Sequence, residues 1–277
     1  MGPITATVAG TESISAHLRR LYFDVPDLSG LALPGMPDEA VGMYVPTPDG
    51  PNPTEGRNYS IRHVDHEART LAVDVVLHEH GPVTEWAAGA TAGDRVEMSH
   101  ARGWFAPPAG TGWLLLATDL AGLPAAARIL EELRAQHDPV QILVLAEVVD
   151  DADLAYLGQV APAEVVPIIG SGNGVSPSRL GTAVTEVGLP DGPGYCWFAG
   201  EAAQSRIVRK HLRHQLHWPS NRYDAIGYWR FDGERWAQRF AQYGDELFAV
   251  YQNAIDAGRS EKQAAEEFDE ALEKLGL

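Results

Sequence analysis

Two kinds of hydrophobic pattern follow one another along the chain. Up to about residue 110, short alternating or β-branched runs are separated by glycine, proline and aspartate. Such runs are typical of antiparallel strands, and a series of them favours a barrel. They cover residues 17–25, 57–64, 70–78 and 95–99. The proline-rich residues 47–56 are expected to form a loop, because proline cannot donate to a strand ladder.

From residue 113 the pattern changes to continuous apolar runs, each followed by a helical periodicity. Continuous runs are typical of parallel strands that helices cover on both faces. Strands are predicted at residues 113–117, 140–148, 164–169 and 195–199, and helices at residues 123–136, 178–187 and 202–216. We therefore predict an antiparallel β-barrel in residues 1–112 and an α/β domain with a parallel sheet in residues 113–235.

The sequence of residues 236–277 predicts a helical C-terminal extension. Its apolar side chains recur at helical spacing, at Phe248, Tyr251 and Ile255 and again at Phe268 and Leu272. An amphipathic helix needs a surface that covers its apolar face. We expect these helices either to pack on the body of the protein or to join two copies in a homodimer.

The composition excludes several classes of protein. Because 45% of the 277 residues are hydrophobic and 21% are charged, the chain can bury a core and is not disordered. A net charge of −17 argues against binding to nucleic acid. Cys196 is the single cysteine, so no internal disulfide forms. We expect a cytoplasmic protein without stable membrane insertion, because no signal peptide pattern and no apolar run of ~20 residues is present.

Two neighbouring motifs carry the first chemical signal. Arg57, Tyr59 and Ser60 lie on one predicted strand, with Arg57 and Tyr59 on the same face. A guanidinium offers forked donors for a pyrophosphate, a phenol stacks on a ring system, and a hydroxyl can bond the polar edge of a flavin. Residues 81–87 indicate a tight turn and a short helix, whose first N–H groups suit an anion. An exposed strand with a buried tyrosine would explain the first motif alone, but the pair favours FAD.

These motifs closely resemble the siderophore-interacting protein family, a branch of the ferredoxin-NADP reductase superfamily. The likeness continues at Asp119 with residues 123–125, at residues 199–202 and at residues 228–230, and it spans roughly residues 10–232. The resemblance implies an FAD-binding barrel followed by an NAD(P)H-binding domain. The residues assigned to the flavin are Arg57, Tyr59, Ser60, His78, Gly81, Pro82, Val83, Thr84, Trp86, Ala87 and Trp229.

Asp119 and Glu201 each follow a strand of the α/β domain, at the carboxyl edge where such folds bind nucleotides. We expect them to border the approach of the nicotinamide, while an N-cap role for Asp119 and a helix-dipole role for Glu201 are the structural alternatives. The next helix carries Arg206, Arg209 and Arg213 on one side. This basic stripe is either a solvated face or a site for the 2′-phosphate of NADPH or an anionic siderophore. Arg206 and Arg209 are the candidates for the nucleotide.

The resemblance implies a ferric-siderophore reductase. In such an enzyme NADPH or NADH passes a hydride to FAD, and the flavin passes single electrons to Fe(III), which leaves as Fe(II). Tyr59, Ser60, Asp119 and Glu201 would be positioning groups, because reduction itself weakens the hold of hard siderophore oxygens on iron. Two alternatives stay open, a flavin-dependent NAD(P)H reductase with another acceptor and a siderophore-binding protein without reductase activity.

The substrate needs a local cationic pocket, because a chain of charge −17 repels an anionic ferric siderophore. Arg62, shortly after the flavin strand, and Arg230, beside Trp229, are the candidate contacts. A surface or structural ion pair is the alternative role for both arginines. No resident metal ion is expected.

Overall fold

The computed structural model describes residues 2–46, 56–78, 81–136, 140–158 and 163–277. Its N-terminal part is a closed antiparallel barrel of six strands. The strands are β1 (Ile4–Ser13), β2 (Leu18–Asp24), β3 (Ala40–Tyr44), β4 (Arg57–Asp65), β5 (Thr70–Val76) and β6 (Arg95–Arg102). They neighbour one another in the order β1, β2, β5, β4, β3, β6, and β6 pairs with β1 to close the barrel.

The barrel confirms the predicted architecture, although the sequence pattern indicated only four of its strands. β1 was missed because the side chains that it buries include the small Ala6 beside Ile4 and Val8. β3 was missed because it is a run of five residues with Gly42 at its centre. Most of the predicted proline-rich loop, residues 47–55, lies outside the described residues.

The second part is a five-stranded parallel sheet in the order β11, β10, β7, β8, β9, where β7 is Trp113–Asp119, β8 is Gln141–Val148, β9 is Glu164–Ile169, β10 is Gly194–Glu201 and β11 is Tyr223–Trp229. The helices are α1 (Pro82–Gly89) in the barrel and then α2 (Leu123–Ala135), α3 (Asp151–Leu154), α4 (Leu180–Glu186) and α5 (Ala202–Lys210). Every residue of β7 is buried, as the continuous apolar run predicts. The strand order reverses at β7, so the carboxyl ends of β7 and β10 flank the crevice where α/β sheets bind ligands.

The C-terminal extension consists of α6 (Gly233–Phe240), α7 (Gly244–Asp256) and α8 (Glu261–Lys274). Its core contains Leu247 and Leu272. α8 lies against the α/β domain, where Glu266 accepts a hydrogen bond of 2.9 Å from the Tyr223 hydroxyl. The extension therefore packs on the body of the protein, and a homodimer stays a prediction. Among the described residues, no helix is long and apolar enough to cross a membrane.

One buried carboxylate joins the barrel to the parallel sheet. Asp38, just before β3, accepts hydrogen bonds from the backbone N–H groups of Trp104 and Phe105 and from the indole of Trp197 in β10, each at 2.9 Å. Burial raises the pKa of Asp38, and these donors oppose the shift. A buried carboxylate with three donors fixes one relative placement of the elements that supply them.

Two arginines, the buried Arg62 and the partly buried Arg128, bridge α2 and the barrel beside this carboxylate. Arg62 of β4 donates to Glu131 of α2 at 2.7 Å, and Arg128 of α2 pairs with Glu39 of the barrel at 3.0 Å. The Arg62 side chain is 8% exposed and that of Glu39 is 1% exposed. The buried charges of Arg62 and Glu39 depend on their partners, although Glu131 itself is exposed, so these pairs help to hold the barrel and the α/β domain in register.

We expect Asp38→Ala to destabilise the protein by about 3 kcal/mol or more, because it leaves three buried donors without an acceptor. Asp38→Asn should lose less stability, since its amide oxygen can still accept hydrogen bonds from the Phe105 N–H and the Trp197 indole. Urea denaturation measures both values, with the exposed Asp24→Ala as a control that changes stability by at most about 0.5 kcal/mol. Equal stability of Asp38→Ala and the control would contradict a joining role for Asp38.

Candidate functional site

β4 presents the predicted flavin motif where the barrel meets the parallel sheet. Arg57 is exposed at the start of the strand, and Tyr59 is half-buried against the barrel core. Ser60 is 4% exposed and lies opposite Ala40 of β3. The motif thus runs from an exposed cation to a buried hydroxyl within four residues.

Two buried hydroxyls meet at this junction without hydrogen-bond partners. Within the described residues, neither the Ser60 Oγ nor the Tyr228 hydroxyl of β11 has one. Burial raises the pKa of Tyr228, and interaction with the Ser60 hydroxyl opposes that shift. The Tyr228 ring also lies 6.1 Å from the Trp104 ring. Buried polar atoms are rarely left unpaired, so this pair indicates a missing polar ligand.

The segment that follows β5 forms the predicted turn and helix. Gly81 has φ of +138°, a backbone conformation that side chains rarely adopt, and its missing Cβ lets the ring of His78 approach. Gly81 is the N-cap of α1, and it has no side chain to satisfy the first helical N–H groups. The helix start therefore offers backbone donors to an anion.

The side chains of α1 anchor the helix to the barrel. Val83 and Ala87 are buried in the barrel core, and Trp86 packs against the same core. Thr84 donates to the carbonyl of Val76 at 2.8 Å and thereby ties the helix to the end of β5. In this arrangement the backbone of residues 81–84, and not these side chains, is what α1 can present to a phosphate.

Asp119 lies at the carboxyl end of β7 and is 1% exposed. Its carboxylate accepts from the Trp229 indole at 2.6 Å and from the N–H of Ala121 at 3.0 Å. The N-cap of α2 is Gly122, so the N-cap alternative for Asp119 is wrong. Burial, with the nearby charge of Glu147, raises the pKa of Asp119 to about 7. Asp119 therefore fixes the indole that the sequence analysis assigned to the flavin.

Two residues that the sequence analysis missed fill the neighbouring crevice. Glu147, at the end of β8, is fully buried and accepts from Ser171 at 2.7 Å and from Ser178 at 2.6 Å. Asn173 accepts from the N–H of Leu120 at 2.9 Å. The glycine-rich residues 170–174 are therefore hydrogen-bonded to the turn after β7. An acidic residue that ends an apolar strand was the available signal for Glu147.

The basic stripe on α5 divides into two parts. Arg209 pairs with Asp269 of α8 at 2.5 Å, and Arg213 pairs with Glu270 at 3.0 Å. Arg206 lies beside these pairs and also lines a pocket together with Glu201 and Arg230. The structure therefore groups Arg206 with Arg230, although the sequence analysis assigned them to different ligands.

The environment of Arg62 fits its structural alternative. Its guanidinium is bonded to Glu131 and lies 5.9 Å from the centre of the Tyr156 ring. A side chain with 8% exposure and a paired charge offers little to a substrate. The contact of Arg62 with a siderophore stays a prediction. The burial of its side chain and its pairing with Glu131 do not support that contact.

One group among the described residues has the arrangement of metal ligands. His17, Asp150 and Asp153 bring their ligand atoms within 4.8 Å of one another. The Asp153 carboxylate already accepts from Ser15 at 2.7 Å and faces His17 Nδ1 at 3.0 Å, while Asp150 caps α3. Hydrogen bonding accounts for this cluster.

We expect Asp119→Asn to gain stability relative to the wild type as the pH rises from 5 to 8. The folded carboxyl keeps its proton up to a pKa of about 7, whereas the unfolded one loses it near 3.8, so wild-type stability falls across this window. The relative shift should be about 2.5 kcal/mol in urea denaturation at the two pH values. The exposed Asp24→Asn is the control. A difference that does not change with pH would show that Asp119 is already ionised at pH 5.

Comparison with known proteins matches both parts of the chain. The profile of the siderophore-interacting FAD-binding domain covers residues 48–104, and the profile of the siderophore-interacting protein covers residues 111–232. Together these matches include β4, α1, the parallel sheet and the Tyr228–Trp229 pair.

Individual proteins are also similar to this chain in sequence or in structure. An NADPH-dependent ferric-chelate reductase of Escherichia coli is 25% identical over 240 residues, which are 80% of this chain and 91% of that protein. An uncharacterized protein of Mycobacterium tuberculosis is 46% identical over 78 residues, so the shared segment spans only 28% of its length and 28% of this chain. The crystal structure of a siderophore utilization protein from T. fusca has a TM-score of 0.71 and 25% identity, covering 83% of this chain and 93% of that one. The fold, the motifs and the profiles thus lead to one conclusion: this chain belongs to the siderophore-interacting protein family.

Proposed function

We propose that this protein is an FAD-dependent ferric-siderophore reductase that takes its electrons from NAD(P)H. The observation that carries the proposal is the pair of buried, unpartnered hydroxyls of Ser60 and Tyr228, which adjoins the motif of Arg57 and Tyr59. Membership of the family and the E. coli ferric-chelate reductase support the same activity.

The residues present fit FAD. Ser60 and Tyr228 would hold the polar edge of the flavin ring system, because each has a buried hydroxyl to donate. Arg57 and the N–H groups at the start of α1 would hold the pyrophosphate, since forked guanidinium donors and a helix N-terminus both suit phosphate oxygens. These groups come from β4, α1 and β11, so the bound cofactor would touch both domains.

Bound FAD would supply the redox chemistry, accepting a hydride and releasing its electrons singly to ferric iron. The chain's own residues would position and shield the reactants. Asp119 holds the Trp229 indole at 2.6 Å, so that ring has a fixed orientation at the junction. Trp104 and Tyr228 exclude water from the same corner. None of these roles requires a group that gains or loses a proton.

The acceptor in this proposal is a ferric siderophore as a small-molecule substrate. Siderophore oxygens are hard ligands that match Fe(III), so reduction loosens the chelate without a protein acid or base. Glu201, at the carboxyl end of β10, lies on the side of the crevice from which a nicotinamide would approach. Burial raises the pKa of Glu201, which disfavours its charged form beside an anionic nucleotide.

An anaerobic absorbance experiment tests the function. We expect the purified protein to carry FAD, to lose its visible flavin absorbance when NADPH or NADH is added, and to recover it when a ferric siderophore follows. A chelator of Fe(II) should trap two ferrous ions for each nicotinamide oxidised, because a hydride carries two electrons.

The control is free FAD at the same concentration, since a free flavin can also reduce iron. A protein that binds no FAD would overturn the proposal. If a quinone restores the flavin absorbance and a ferric chelate does not, the enzyme passes its electrons to another acceptor. A flavin that no nicotinamide reduces, in a protein that still binds the siderophore, would favour the binding protein without reductase activity.

A further inference from the structure

A cationic pocket lies between the carboxyl ends of β10 and β11 and the first helix of the C-terminal extension. Its volume is about 390 Å³. Arg206 of α5, Arg230 after β11, and Arg235 and Arg239 of α6 all line it. The α/β domain and the C-terminal extension thus both contribute guanidinium groups to the same pocket.

The cations of α5 and of the helical turn that follows it show that this pocket differs from an ordinary basic surface. Arg209, Lys210 and Arg213 each pair with a carboxylate of α8. Arg206 lies on the same helix, yet its buried Nη1 has no hydrogen-bond partner within the described residues. A buried guanidinium nitrogen without an acceptor is costly, so Arg206 indicates an anion that the protein itself does not supply.

Two neighbouring arginines, Arg230 and Arg239, add further positive charge to the pocket. The Arg230 guanidinium lies 4.2 Å from the centre of the Trp236 ring, and its pKa is lowered by burial and by the charge of Arg206. Arg239 donates to the carbonyls of Gly276 at 2.9 Å and Leu275 at 3.1 Å, which are neutral acceptors.

Two carboxylates, Glu201 and Asp232, oppose these four guanidinium groups in the lining. Among the described side chains of the lining, guanidinium groups thus outnumber carboxylates by two, inside a chain whose net charge is −17. A dianion would neutralise that excess and relieve the repulsion between Arg206 and Arg230.

We propose that this pocket binds a dianionic phosphate group. Forked guanidinium donors match phosphate oxygens, and the carboxyl edge of a parallel sheet is where such folds place phosphate-bearing ligands. The group could come from two sources, the 2′-phosphate of NADPH or a separate phosphate-bearing ligand. The first source rests on the proposed function, and the second does not.

Calorimetric titration of the FAD-loaded protein with adenosine 2′,5′-bisphosphate tests the site. We expect saturable binding that Arg206→Gln weakens by about tenfold, because one charge-assisted pair is lost. Arg222→Gln is the matched control, since Arg222 precedes β11 at the opposite edge of the sheet. Binding should be unchanged in that variant.

Two further titrations separate the sources. If NADPH displaces the bisphosphate and NADH does not, the 2′-phosphate of the electron donor fills the pocket. If inorganic phosphate displaces the bisphosphate and NADPH does not, a separate phosphate ligand fills it.

No binding of the bisphosphate, or equal binding by the wild type and Arg206→Gln, would overturn the proposal. So would displacement by a ferric siderophore but by neither phosphate nor NADPH, because the pocket would then serve the substrate. These measurements need no turnover, so a failure here is distinct from a failure of the reductase activity.

Discussion

The Asp38 carboxylate is the contact on which the placement of the two domains depends. It accepts from two backbone N–H groups of the segment that leaves the barrel and from an indole in β10. Because the Phe105 and Trp197 donors are buried and that of Trp104 is partly buried, a shift between the barrel and the sheet would leave at least one of them unpaired. The ion pairs Arg62–Glu131 and Arg128–Glu39 reinforce the same alignment, from α2.

This alignment creates the candidate site. β4 belongs to the barrel and β11 to the sheet, so Ser60 and Tyr228 meet only if the domains keep this placement. Desolvating two hydroxyls without pairing them costs stability, and a bound polar ligand would recover that cost. The fold thus builds a corner that is incomplete by itself, and the flavin of the proposed function completes it.

The sequence predicted those features that depend on local pattern. Alternating runs indicated most of the barrel, continuous apolar runs indicated the parallel sheet, and residues 57–60 with 81–87 indicated the family. The partners of the charged residues were not predictable. Asp38 contacts Trp197, and Arg209 contacts Asp269. The partners in each pair are far apart in the sequence, and only the folded topology brings them together. A basic stripe seen in isolation therefore resembled a binding site, although α8 neutralises most of it.

The most direct test of the flavin site is the dissociation constant of FAD for the wild type, Tyr228→Phe and Ser60→Ala, measured by fluorescence titration of the apoprotein. Each variant removes one buried hydroxyl that has no hydrogen-bond partner among the described residues. Tyr22→Phe, on the outer face of β2, is the control. We predict that both site variants bind FAD about threefold to tenfold more weakly, that the melting temperature of the apoprotein does not fall in either of them, and that the control binds FAD like the wild type. Wild-type affinity in both site variants would contradict a flavin held at this junction.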